Sequence, residues 1–197
     1  MKKNTLIAAA SIILLSTAGI ISCADGSSKD HTDDKSLKFT TEQVEHGGYL
    51  VTVSGCDDCH SPKNFGPRGP EIDSTRRLSG RIAGAPLPPV DTAALKSWAL
   101  FAHDLTAAVG PWGVSFSANI TSDPTGIGNW SFDQFKLAMQ KGKYKGLENG
   151  RDLLPPMPWP NFSKFKEDDL RDIFAFLKST KPVSNVVPAA IPPTQLK

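Results

Sequence analysis

Apolar residues along the chain fall into separate blocks with polar or Pro/Gly-rich segments between them. The first block runs from Leu6 to Ile21 behind Lys2 and Lys3 and is interrupted by Ser11, Ser16, Thr17 and Gly19. That is the layout of a secretory signal peptide. At 16 residues it is short of the roughly 20 needed to span a bilayer. From Ala24 to Lys38 the chain reads ADGSSKDHTDDKSLK, too polar to bury a core, which predicts a flexible tether. Thr40 or Thr41 can then cap a helix whose stripe of Val44, Tyr49, Leu50 and Val53, with the Gly47-Gly48 pair, runs into Cys56.

Residues 61–110 are rich in Pro and Gly and are predicted to be largely irregular. The exception is Thr92 to Leu105, where Leu95, Trp98, Ala99 and Ala102 fall at helical spacing. Ser131 and Gln134 have the spacing of a capping box ahead of Phe132, Phe135, Ala138 and Met139, and Gly142 stands where a C-terminal cap belongs, so a helix is predicted over 132–141. Glu167, Asp168 and Asp169 open a last helix whose buried face is Leu170, Ile173, Phe174 and Leu177, and Pro182 ends it. The tail from Val183 to Lys197 has no period and is expected to be extended along the surface or disordered. The predicted elements are all helices, which makes the expected fold class all-α, with a long Pro/Gly-rich insertion. The expected organisation is signal peptide 1–22, tether 23–38, folded domain 39–182 and tail 183–197.

Charge narrows the partners. Without Lys2 and Lys3 the 22 basic residues fall to 20, against 20 acidic ones, so no basic field recruits nucleic acid. With three cysteines and an export signal, the compartment is oxidising. Ile20-Ile21-Ser22-Cys23 resembles a bacterial lipobox. That resemblance implies cleavage before Cys23, acylation of its sulfur and new amine, and a mature protein held on a membrane of the cell envelope. Two or more acyl chains suffice for stable anchoring.

Cys56-Asp57-Asp58-Cys59-His60 has the C-x-x-C-H spacing of c-type haem attachment. Two thiols three positions apart can each add to one vinyl group on the same edge of a haem, and the next residue holds its imidazole under the iron. A thioredoxin-like pair needs a βαβ context that the preceding helical pattern does not provide, and a zinc site needs two more ligands. Candidates for the sixth iron ligand are Met139, Met157, His31, His46 and His103. Met139 lies on a predicted core stripe, His31 in the tether and His46 beside two glycines. Met157 sits among Pro155, Pro156, Pro158 and Pro160, in a stiff segment able to hold a thioether at a defined distance from iron. His103 or an open position remains the alternative.

These motifs, with Gly48-Tyr49-Leu50, the run Asn119-Ile120-Thr121-Ser122-Asp123-Pro124-Thr125-Gly126-Ile127-Gly128-Asn129-Trp130, Pro155-Pro156-Met157-Pro158 and Glu167-Asp168-Asp169-Leu170-Arg171, resemble class I cytochromes c, in particular those serving periplasmic dehydrogenases. The resemblance covers most of residues 42–183. It implies one covalently bound haem c, Met157 as distal ligand, and a crossing of first and last helices in which Gly48, Tyr49 and Phe174 take part. It further implies a single-electron carrier, not an enzyme, whose partner is a dehydrogenase or oxidase. Other readings are a cytochrome subunit fixed in a membrane oxidoreductase complex, and a haem peroxidase or gas sensor with an open sixth site. The run from Asn119 to Trp130 is either turn chemistry leading into the capped helix or functional, with Asn119 or Trp130 donating to a haem propionate or shielding the distal face; Arg76, Arg77 and Arg81 are further propionate candidates.

Overall fold

The computed structural model describes residues 38–196. The signal peptide, Cys23, His31 and all but the last residue of the tether lie outside the described residues. No helix among the described residues is long and apolar enough to cross a membrane.

Among the described residues five α-helices form where local chemistry asks for them. Helix α1 (Thr41–Val53) begins at Thr40, whose hydroxyl accepts from Gln43 N while the Gln43 side chain accepts from Thr40 N. Helix α2 is a short turn, Cys56–His60. Helix α3 (Phe132–Lys141) carries the same reciprocal box at Ser131 and Gln134 and stops at Gly142, in the left-handed region at φ 64°. Helix α4 (Trp159–Phe162) is a single turn, and α5 (Glu167–Ser179) opens on three carboxylates. Lys136 and Arg171 both pair with Glu167, tying α3 to the start of α5.

The core lies between α1, α3 and α5. Val51, Leu78, Ile127, Phe135, Met139, Leu170, Ile173, Phe174 and Leu177 form one buried cluster. Phe174 is its centre, edge-on to Phe39 and Phe132 at 6.2 and 5.9 Å and tilted against Phe135 at 5.3 Å. Helices α1 and α5 pack so closely that a methyl group on Gly47 would collide with the Asp172 carbonyl. Gly48 faces the Phe176 ring, and His46 Nδ1 lies 2.8 Å from Asp172 Oδ2. The crossing is therefore made by Gly47, Gly48, Asp172 and Phe176. Tyr49 is mostly exposed and does not take the part expected of it, whereas Phe174 is buried in the cluster that also holds Val51 of α1.

The expected all-α class is wrong for this chain: the region after α2 folds into two antiparallel sheets. Strands β1 (Lys63–Gly66) and β2 (Gly69–Ile72) make a hairpin. Strands β3 (Leu100–Phe101), β4 (Ala107–Gly110) and β5 (Gly113–Phe116) make a three-stranded sheet in that order. The helix expected over Thr92 to Leu105 is replaced by a 3₁₀ turn at Ala94–Lys96 followed by β3. Leu100 and Phe101 pair with Val109 and Ala108, and Trp98 is 69% exposed. An apolar stripe becomes a helix only where a core covers it, and here the backbone is claimed by a neighbouring strand.

Beyond α5 the tail runs along the domain. Val114 and Ile191 exchange both backbone hydrogen bonds, at 2.8 and 3.0 Å. Asn185 donates through Nδ2 to Ser79 O and Arg81 O and accepts from Ala83 N.

Candidate functional site

Helix α2 places Cys56 and Cys59 one turn apart, both half-buried and neither in a disulfide. Cys56 rests against the hydrophobic cluster. Burial, reinforced by the neighbouring Asp57 carboxylate, pushes the Cys56 thiol up to about 11, and burial raises Cys59 as well. Neither is the low-pKa thiolate that dithiol exchange requires.

His60 ends the helix with its ring fixed. Its Nδ1 lies 2.8 Å from Ala118 O. A carbonyl only accepts, so Nδ1 carries the proton. Burial holds the imidazole below its ordinary pKa, outweighing the Ala118 bond that opposes it. The ring is thus neutral at pH 7 and Nε2 keeps its lone pair. Gly80 makes this possible. It sits at φ 74°, donates to His60 O at 2.7 Å, and packs where a side chain would collide with the Ser117 and Ala118 backbone.

Ionic contacts brace the same turn. Arg77 grips Asp57 with Nε and Nη2 at 2.9 and 2.7 Å, and Ser61 Oγ donates to the same carboxylate at 2.7 Å. Burial raises the Asp57 pKa, but these hydrogen bonds and the charges of Arg77 and Lys63 outweigh it, and the group stays below the usual carboxylate range. Lys63 Nζ reaches the carbonyl oxygens of Asp58, Ser61 and Asp104 at 2.6, 2.8 and 3.0 Å. Neither Lys63 nor the Asp57–Arg77 pair was picked out from sequence. Acidic residues between the two thiols were the one visible signal, since Arg77 lies 20 positions away.

Met157 is half-buried against the cluster that also receives Cys56, Ile120, Trp130, Phe162 and Phe165. Its loop is tied to the sheet, because Ser115 Oγ donates to Pro155 O at 2.6 Å. The other candidates have structural places. Met139 is buried in the core, His46 pairs with Asp172, and His103 is exposed with its ring edge-on to Phe65. Asn119 is buried and committed: Nδ2 donates to Thr125 Oγ1 and Val183 O, and Oδ1 accepts from Thr121 N and Oγ1. It pins a turn, and the propionate role weighed for it has no free group to draw on. Of the arginines, Arg76 pairs with Asp73 and Arg77 with Asp57, while Arg81 binds Asp104, Thr106 and two carbonyls.

Among the described residues no group of three or more His, Cys, Asp or Glu side chains is placed to hold a metal ion directly. A haem makes a smaller demand, since its porphyrin supplies four iron ligands and takes at most two from the protein. A neutral imidazole with a free Nε2, two unpaired thiols on the same short helix, and a thioether among half-buried apolar side chains fit that group.

No protein-family model matches the chain, but several known proteins are similar to it. Over 80 residues it is 41% identical to a nicotinate dehydrogenase subunit of Pseudomonas putida, covering 40% of this chain and 6% of that protein. It is 26% identical over 173 residues to the cytochrome c subunit of the quinone alcohol dehydrogenase of Gluconobacter oxydans, 87% of this chain and 27% of that one. It is 30% identical over 143 residues to the gluconate 2-dehydrogenase cytochrome c subunit of Pantoea cypripedii, 72% and 24% respectively. The chain thus spans at most 27% of the length of these relatives.

Proposed function

The chain is kin to the cytochrome c subunits of dehydrogenases, and on that premise we propose that it is a single-electron carrier with one haem c attached through Cys56 and Cys59. Its iron ligands are His60 and Met157, and its partner is a dehydrogenase of the cell envelope. A haem bound there supplies an iron that cycles between ferric and ferrous states. The protein's part is to hold and tune it. His60 offers Nε2 because Ala118 holds Nδ1–H, the outer contact that fixes tautomer and ring plane. Met157 offers a thioether, which favours the ferrous state. Ile120, Trp130, Phe162 and Phe165, half-buried on the same cluster, keep water from the ring.

The observation that carries this reading is the fixed, neutral His60 directly after the second of two unpaired thiols. Covalent attachment is tested by acid-acetone extraction of the denatured holoprotein. The colour should stay with the polypeptide, and Cys56→Ser with Cys59→Ser should release it. Haem released from the wild type would sink the proposal.

We place the protein on a membrane of the envelope, facing the periplasm or exterior, through lipid on Cys23. The support is the lipobox-like sequence before that residue. Metabolic labelling with a fatty acid should mark the wild type and spare Cys23→Ser. Equal labelling of both excludes the anchor.

A further inference from the structure

Lys63 stands three residues past His60, at the first position of β1. Its side chain turns back onto the helix that precedes it. Nζ lies 2.6 Å from Asp58 O, 2.8 Å from Ser61 O and 3.0 Å from Asp104 O, with Asp57 O at 3.4 Å. An ammonium has three N–H donors, and the three short contacts use all of them. Two of those acceptors flank His60 in the chain and the third belongs to the turn between β3 and β4. Helix ends leave carbonyls without partners and carry partial negative charge, and here a whole positive charge is fixed on them by geometry.

The surroundings sharpen the point. The Asp57 carboxylate is already matched by the bidentate Arg77 guanidinium. The Asp104 carboxylate faces Arg81 Nη1 at 3.4 Å and accepts from the Thr106 hydroxyl. Asp58 is exposed and its charge is screened by water. The Lys63 ammonium is bound to carbonyl dipoles, and no acidic side chain among the described residues forms a salt bridge with it.

We propose that Lys63 is a positioning residue for the iron site: its ammonium, held by the carbonyls of Asp58, Ser61 and Asp104, locks the His60 turn to the sheet and raises the reduction potential of the haem. The inference rests on the reading of His60 as an iron ligand. Its sign follows from Coulomb's law. A fixed positive charge beside a redox centre favours the state that carries one electron more, and partial burial keeps water from cancelling the effect.

The test is potentiometry of holoprotein carrying Lys63→Met, Lys63→Gln or Lys63→Arg, with the absorption spectrum confirming unchanged iron ligation. Lys63→Gln keeps a donor for the carbonyls and loses the charge, so it carries the test if Lys63→Met does not assemble. The midpoint potential should drop in Met and Gln variants and be retained in Lys63→Arg. A structural brace alone would lower the denaturation midpoint of the variants and leave all potentials equal to the wild type, and that result overturns the proposal. A wild type with no haem would instead overturn the functional reading beneath it.

Discussion

Gly47→Ala should unfold the domain at denaturant concentrations where Gly48→Ala remains folded. Alanine is the better helix former by about 1 kcal/mol, so on α1 alone both substitutions would stabilise. Tertiary contact reverses the sign at Gly47. The new methyl group would meet the Asp172 carbonyl of α5, and the Phe176 Cβ lies 2.9 Å away. Backbone cannot swing aside as a side-chain tip can, so the helices must separate. Overpacking of this kind costs about 1–3 kcal/mol and occasionally more, and separation also loosens the contacts of Val51 with α5. At Gly48 the nearest atoms are Phe176 ring carbons at 3.0 Å, and a small ring rotation relieves them. Denaturation curves for the two variants should place Gly47→Ala well below the wild type and Gly48→Ala close to it. Equal midpoints would show that the two helices are free to shift apart.

The contrast between these neighbouring glycines marks where the sequence stops being readable. Helix boundaries were legible wherever a local signal set them, as with the capping threonine before α1 and the reciprocal box at Ser131 and Gln134. The three carboxylates opening α5 are another such signal. Each is a contact within four residues, and local chemistry alone decides it. The sheets were missed because their strands are two to four residues long and lack the alternation that marks a half-buried strand. All four residues of β4 are buried, while β1 and β2 are mostly exposed. Their pairing depends on partners that periodicity cannot name.

The same division runs through the site. Cys56, Cys59 and His60 are visible because their chemistry is written in consecutive positions. The groups that orient them come from far along the chain. Ala118 lies 58 positions from His60, Arg77 lies 20 from Asp57, and Asp104 lies 41 from Lys63. The inserted sheets bring several of these into place, and Ser115 on β5 anchors the Met157 loop through Pro155. The Pro/Gly-rich stretch expected to be largely irregular therefore supplies Lys63, Arg77 and Asp104, which brace the turn that ends in His60.

Met157→Ala should abolish the weak far-red sulfur-to-iron charge-transfer band of the oxidised protein and lower its reduction potential. The loop that carries Met157 is stiffened by Pro155, Pro156 and Pro158 and tied to β5, so its sulfur is held with little freedom to lose. Removing it leaves water or another donor at the sixth position, and both favour ferric iron more than a thioether does. Folding should suffer less than the potential, because Met157 is half-buried at the edge of the cluster while the proposed thioether bonds and His60 still retain the haem. Met139→Ala is the control with the opposite profile. That side chain is 8% exposed within the core, and its truncation should cost about 2–5 kcal/mol of stability while the band remains. His103→Ala should change neither, since His103 is exposed beside Phe65. A band that survives in Met157→Ala and disappears in Met139→Ala or His103→Ala would transfer the sixth ligand to that residue.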